Sequence, residues 1–242
     1  MSRRIVVVVA VVVGVAIVVY AVMYLNRGDT SSSQSSRTFP AEARGVAFVD
    51  EAVIYDDLGR MTATADLVVR GSVRDATAGK THVYPPSEAL ADETDRLLTV
   101  QVEEVVYSDG RAAPKAITVV EGWWSQGVGY AVEGMPWIKP GQQAYFYLTA
   151  DPGYPADTYT YVGTTGRVLL MNDRAQVSGD HHGDGPWDGA LGGRARASGP
   201  TETADGRHHT QAIEGWIRAA AVSAQRGESK PMPLPRITGP KA

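Results

Sequence analysis

ADLVVRGSVRDA, residues 65–76, alternates apolar and polar side chains, and so does LLTVQVEEVVY, residues 97–107. In the first, Leu67, Val69, Gly71 and Val73 fall on one face and Asp66, Arg70, Ser72 and Arg74 on the other. A period of two marks a strand with one face buried. In the second, Leu98, Val100 and Val102 alternate, and the pattern then slips by one at Glu103–Glu104 before Val105 and Tyr107. Such a slip predicts a β-bulge, the device that bends a strand far enough to curl a sheet.

The same reading extends outward from these two strands. Ser108-Asp109-Gly110 makes a turn, and AITVVEG, residues 116–122, is a third strand. Pro140–Gly141 turns the chain into QQAYFYLTA, residues 142–150, where Ala144, Phe146 and Leu148 oppose Tyr145 and Tyr147. YTYVG at 159–163 follows, and GRVLLMNDRAQV at 166–177 reads as a hairpin turning at Asn172–Asp173. A short helical segment over 56–64, with Leu58, Met61 and Ala65 spaced three and four apart, leads into the first strand. Residues 77–95 are polar, hold Pro85–Pro86 and read as a long loop. Several short strands with turns between them predict a mainly β domain over 41–177, a small antiparallel barrel or sandwich. A Gly-rich, flexible loop over 178–208 comes next. The C-terminal helix spans 209–227, its stripe made by Ile213, Trp216, Ile217, Ala220 and Ala224, with Thr210 as N-cap and Gly227 past its end. A Pro-rich tail, 228–242, closes the chain; its Pro231, Pro233, Pro235 and Arg236 imitate a polyproline ligand but read as an extended terminus.

The other decisive stretch is IVVVVAVVVGVAIVVYAVMYL, residues 5–25, an unbroken apolar run of 21 residues. A hydrocarbon core of about 30 Å needs roughly 20 helical residues, so the run predicts a single transmembrane helix. Arg3 and Arg4 precede it, and a Ser-rich stalk over 26–40 follows it. The positive-inside bias then leaves residues 1–4 in the cytoplasm and exports the C-terminal body. A cleavable signal peptide is the rival reading. The run is longer than a signal h-region and ends in Val-Met-Tyr-Leu-Asn instead of small residues, which favours an uncleaved anchor.

Composition removes several functions. The chain has no cysteine, hence no disulfide, thiolate metal site or cysteine nucleophile. Its net charge of -4 carries no large basic block, so nucleic acid is not an expected partner. No G-x-S-x-G elbow occurs, and His82 has no nucleophile near it in sequence. Glu103 and Glu104, adjacent on a strand, are expected on opposite faces as surface charge.

Two groups of residues are candidates for function. EGWWSQGVGYAVEGMPWI, residues 121–138, reads as a Gly-rich loop carrying Trp123, Trp124, Tyr130 and Trp137. Aromatics presented on a loop mark a binding surface; the competing reading has the same rings covering the open end of a small barrel. The second group is His181–His182 and His208–His209, with Asp180, Asp184 and Asp205 nearby. Imidazoles and carboxylates together suit Zn²⁺ or a similar ion, but the spacing matches no ligand signature and an exposed polar loop is the favoured reading. No cofactor is expected.

The set ADLVVRGSV, LTVQVEEVVYSDG, AITVVEGW, VEGMPWIKPGQQAYFYL and YTYVGTTGRVLL resembles a group of uncharacterised bacterial membrane-anchored envelope proteins. Gly71 occupies the glycine of the group's AD-x-VV-x-G-x-V stretch, Asp109–Gly110 and the pair Pro136 and Gly141 occupy its turn positions, and Gln142 stands where the group often has Glu. The resemblance covers about residues 56–177 and implies an exported, membrane-tethered domain. In strand order that domain is similar to the OB-type barrel of netrin-like and tissue-inhibitor-of-metalloproteinase domains, here without their disulfides. The expectation is therefore a single-pass protein of the cell membrane. Its extracytoplasmic domain is a non-catalytic binding or scaffolding module for another envelope protein or the wall. A metal-assisted hydrolase or metal-binding protein using the paired histidines is the alternative.

Overall fold

The computed structural model describes residues 42–47, 55, 57–85, 91–110, 112, 114–132, 136–172, 174–177 and 208–233. The apolar run 5–25, the stalk, the Gly-rich stretch 178–207 and the end of the Pro-rich tail lie outside them. Among the described residues, no helix is long and apolar enough to cross a membrane.

The chain is mainly β; its described residues form ten strands in one hydrogen-bonded sheet and two helices. Strand β1 (Ala43–Ala47) precedes helix α1 (Leu58–Thr64). Two long strands follow, β2 (Leu67–His82) and β3 (Glu93–Ser108), then β4 (Ala116–Ser125) and β5 (Val128–Val132). Next come β6 (Gln143–Ala150), β7 (Thr158–Tyr161), β8 (Arg167–Met171) and β9 (Arg174–Val177). The two-residue β10 (His208–His209) leads into α2 (Thr210–Gln225).

The sheet order is β1-β5-β4-β3-β2-β6-β8-β9-β10, and β7 lies off this path, pairing both β4 and β6. The ladders β2–β3–β4–β7–β6 therefore return to β2. Two ladders, β4 with β7 and β1 with β5, are parallel, where alternation alone led us to expect an antiparallel arrangement throughout. Alternation carries no information on strand direction.

The expected bulge is present. Val68 pairs with Tyr107 but Val69 with Val105, and Arg70 pairs with Glu104 but Gly71 with Val102, so Val106 and Glu103 are extra residues on β3. Gly71 is needed at this crossing, since a Cβ there would come within 2.6 Å of Val100 Cγ1 and 2.7 Å of the Gln101 carbonyl. A further shift puts Arg96 opposite Gly122 and Leu97 opposite Val120, so Glu121 is the extra residue of β4.

The strands bury both faces, which gives two cores. Leu67, Val69, Val100, Val119, Phe146 and Leu148 fill one. Val68, Tyr145, Tyr147 and Val168 form the opposite face, which packs on Leu58 and Met61 of α1 and Ile213 and Ile217 of α2. Helix α1 starts where Asp57 accepts a hydrogen bond from the Arg60 amide at 2.7 Å, an N-cap.

Two segments read as loops are strand. The stretch 77–95 holds the outer half of β2 and the start of β3, which stay paired from Thr77–Leu97 to His82–Glu93. The side chains of 77–82 are exposed or half-buried on both faces and the buried residue of 93–95 is the polar Thr94, so no apolar alternation announces it. The stretch 121–138 holds the end of β4 and all of β5, joined by Gln126 (φ 50) and Gly127 (φ 80). Positive φ at both central residues is the type I′ hairpin geometry, whose twist matches that of the strands it joins.

Candidate functional site

Of the aromatic residues expected on a loop, Trp123, Trp124 and Tyr130 are in this β4–β5 hairpin, and Trp137 packs against it. Trp123, Trp124 and Trp137 are only 5–7% exposed, and Tyr130 is half-buried. Trp123 pairs across the hairpin with Tyr130, the two rings 6.3 Å apart and stacked at 14°. Trp137 lies where a Cβ on Gly122 or Gly129 would sit, and its indole N–H donates to the Tyr130 carbonyl at 3.0 Å. The glycines thus admit a tryptophan over the hairpin, where the sequence reading had them freeing a loop. Of the four histidines, His181 and His182 lie outside the described residues, and His208–His209 form β10 against Arg174–Ala175. Among the described residues, no group of three or more acidic or imidazole side chains could hold a metal ion.

Beneath Trp137 the sheet buries charge. Glu121, placed by the β4 bulge, receives Arg96 on Oε2 and Arg167 on Oε1, and all three side chains are at most 2% exposed. Glu121 Oε1 also accepts the Ile138 amide at 2.9 Å. Arg96 donates to the Ile138 carbonyl at 2.8 Å under the Trp137 ring, and Arg167 donates to the Pro136 carbonyl at 2.5 Å. Burial pushes the Glu121 carboxyl up, while both guanidinium groups and the Ile138 N–H pull it down. The triad ties segment 136–138 to three strands. It is closed to solvent, and its hydrogen bonds hold the 136–138 backbone.

The polar constellation that solvent can reach lies where the outer β2–β3 hairpin meets the β6–β7 loop. His82 Nε2 is 2.9 Å from Asp95 Oδ2, and the Tyr154 hydroxyl donates to that same oxygen at 2.5 Å. The Lys80 amide donates to the Tyr154 hydroxyl at 2.9 Å, and the Lys80 ammonium stands 4.3 Å from the Tyr154 ring centroid. Alongside, the Thr81 and Thr94 hydroxyls are 2.9 Å apart and the Tyr84 hydroxyl donates to Glu93 Oε2 at 3.1 Å. Burial pushes the Glu93 carboxyl up. The Tyr154 phenol is raised by burial and by Asp95.

Chemically, this junction offers an oriented imidazole, carboxylates, a cation and two phenols. Its threonine hydroxyls bond to each other and neither is bonded to His82, so the nucleophile–base pairing of covalent catalysis is not assembled there. A second polar feature is a cleft on the opposite side of β2, edged by Arg70, Gln143 and Glu214. The sequence carries no sign of the junction, because 77–95 shows no period of two and His82 has no carboxylate beside it in sequence. Asp95 lies 13 residues away, across the hairpin.

No protein-family model, no curated protein and no solved structure matches the chain.

Proposed function

We propose that this chain is a single-pass membrane protein whose extracytoplasmic domain is an OB-like barrel serving as a binding or scaffolding module of the cell envelope. The apolar run 5–25, longer than a signal h-region and preceded by Arg3 and Arg4, supports the anchor and its orientation. The return of the ladders β2–β3–β4–β7–β6 to β2, with β4 parallel to β7, supports the OB-like barrel.

The observation that carries the binding role is the junction of Lys80, His82, Asp95 and Tyr154. It joins the connection between the first two strands of the five-strand circuit to the connection between its last two. On OB-type barrels these two connections frame the ligand face. Fold analogy supplies only the location; the recognition chemistry comes from the four side chains, which offer hydrogen bonds of both signs around a tyrosine ring. The absence of a paired nucleophile and base at the junction argues for binding over turnover.

The test is in-cell crosslinking of the full chain beside a Lys80→Glu, His82→Ala variant of equal abundance. Half of His82 is exposed, so the variant leaves both cores intact. Capture of a specific envelope protein or wall fragment by the parent and its loss in the variant is the expected result. Identical captures from both proteins would remove the junction as the binding surface. Protease added to intact spheroplasts should digest residues 41–242 and leave the membrane-embedded segment; protection of the domain would overturn the orientation.

A further inference from the structure

A cleft of about 380 Å³ opens between the outer face of the sheet and the first turns of α2. That is near the lower end of the volumes that hold small ligands. Its polar lining includes Arg70 from β2, Gln142 and Gln143 from the start of β6, and Glu214 from α2. It lies on the other side of β2 from the β2–β6 core, and it is independent of the junction proposed above.

Arg70 is short of acceptors. Its closest carboxylate contacts are NH1 to Glu214 Oε1 at 3.4 Å and Nε to Glu103 Oε2 at 3.7 Å. Guanidinium–carboxylate hydrogen bonds are ordinarily about 2.7–2.9 Å long. The Nε–H is buried and has no hydrogen-bond acceptor among the described residues. Both carboxylates have other donors: the Tyr145 hydroxyl reaches Glu214 Oε1 at 3.1 Å, and Gln143 Nε2 reaches Glu103 at 3.1 Å. The guanidinium, a third exposed, is therefore placed at the cleft with one long hydrogen bond, to Glu214, and with its Nε–H unsatisfied among the described residues.

The remaining groups supply both signs. Glu214 takes its two bonds on Oε1, which leaves Oε2. Gln142 uses its Oε1 for the Lys139 amide and keeps its amide donors, whereas Gln143 uses Nε2 and keeps its carbonyl oxygen. One cation and one set of amide donors stand beside one carboxylate and one amide acceptor. We propose that the cleft binds a small zwitterion with an α-amino-acid head group, its carboxylate on Arg70 and Gln142 and its ammonium on Glu214 and Gln143. A plain carboxylate would leave Glu214 facing a like charge, and a plain amine would leave Arg70 with only its long contacts to Glu214 and Glu103.

Met171 lines the same cleft and Met61 is fully buried in the core between sheet and helices, so methyl-labelled methionine reads site and reference together. The experiment titrates the full chain in detergent with alanine, acetate and ethylammonium. Alanine should shift the Met171 methyl with a midpoint on the order of 1 mM, and acetate and ethylammonium should bind about tenfold or more weakly. Arg70→Gln should weaken alanine by about tenfold. Glu214→Gln should erase the preference for alanine over acetate. Variants count only if Met61 keeps its parent position, and the three-probe comparison on the parent protein decides without them. Absence of a saturable Met171 shift with alanine, acetate binding as tightly as alanine, or an Arg70→Gln midpoint equal to the parent's would each overturn the proposal.

Discussion

Glu121 faces two guanidinium groups with one carboxylate, and that imbalance makes the triad's response to substitution asymmetric. Removing the carboxylate leaves two like charges buried together, whereas removing one guanidinium leaves a neutral pair. Breaking a buried ion pair from one side costs about 3–5 kcal/mol. Glu121→Gln should therefore lower stability by about that amount in urea unfolding, and Arg167→Met should lower it by clearly less. Equal losses would mean that Arg167 and Arg96 are not competing for the same anion. The burial of these charges was legible in part. Continuing the alternation of Leu98 and Val100 back through β3 puts Arg96 on the inner face, and continuing Ile117 and Val119 forward does the same for Glu121. What the period could not show is that the two inner charges, and Arg167 from a third strand, meet. Asn172 is a second test at this scale. Its φ of 56 lies in the left-handed region, as expected of a residue turning the β8–β9 hairpin. Asn172→Gly should be nearly neutral, and Asn172→Val should cost about 1–2 kcal/mol in the same measurement.

At the scale of elements, strands were legible where one face alone is buried and obscure where both faces are alike. The outer β2–β3 hairpin is polar on both faces and was read as a loop. The β4–β5 hairpin is buried at four consecutive positions, Glu121 to Trp124, and was read as a loop for the opposite reason. In each case the backbone ladder persists although the side chains give no period of two. The turn Gln126–Gly127 also lacks the Asn-Gly or Asp-Gly pair that announces a type I′ hairpin. The packing of Trp137 across this hairpin gives a direct check. A Cβ on Gly129 would overlap the Trp137 ring, so Gly129→Ala should force the indole outward. The expected cost is about 1–3 kcal/mol, with a red shift of tryptophan emission as a ring now 7% exposed meets water. Unchanged emission and unchanged stability would show that the hairpin does not depend on this close approach. Helix α1 offers a milder contrast: Asp57→Ala removes only its cap and should cost about 1 kcal/mol without altering the emission.

At the scale of the whole molecule, the closed set of ladders and the docking of both helices on one outer face remove several tyrosines from water together. A barrel was expected from the sequence, but the ladder that completes the circuit was not legible, because the parallel β4–β7 pairing joins segments some 40 residues apart that share no pattern. Its consequence is a stability that is lost at alkaline pH. The Tyr145 phenol is pushed up to about 12, by burial and by the Glu214 carboxylate that accepts its hydrogen bond. Tyr147 and Tyr161 are raised further by burial, and Tyr154 by burial and Asp95. An unfolded tyrosine loses its proton near pH 10. A group whose folded pKa lies above its unfolded value binds protons more tightly in the native state. The stability it contributes is complete below about pH 10 and is lost as pH rises through the folded value. For Tyr145 the loss falls between about pH 10 and about pH 12. Tyrosinate absorbance should accordingly rise in two stages, a gradual one from exposed phenols and a steep one that coincides with loss of far-ultraviolet dichroism. Tyr145→Phe removes one proton site from the steep stage. Unfolding should then shift to higher pH, provided the lost bond to Glu214 costs less than the linkage removed. A single smooth titration, finished before any dichroism is lost, would show that these phenols reach solvent in the folded chain and that the two cores are not closed over them.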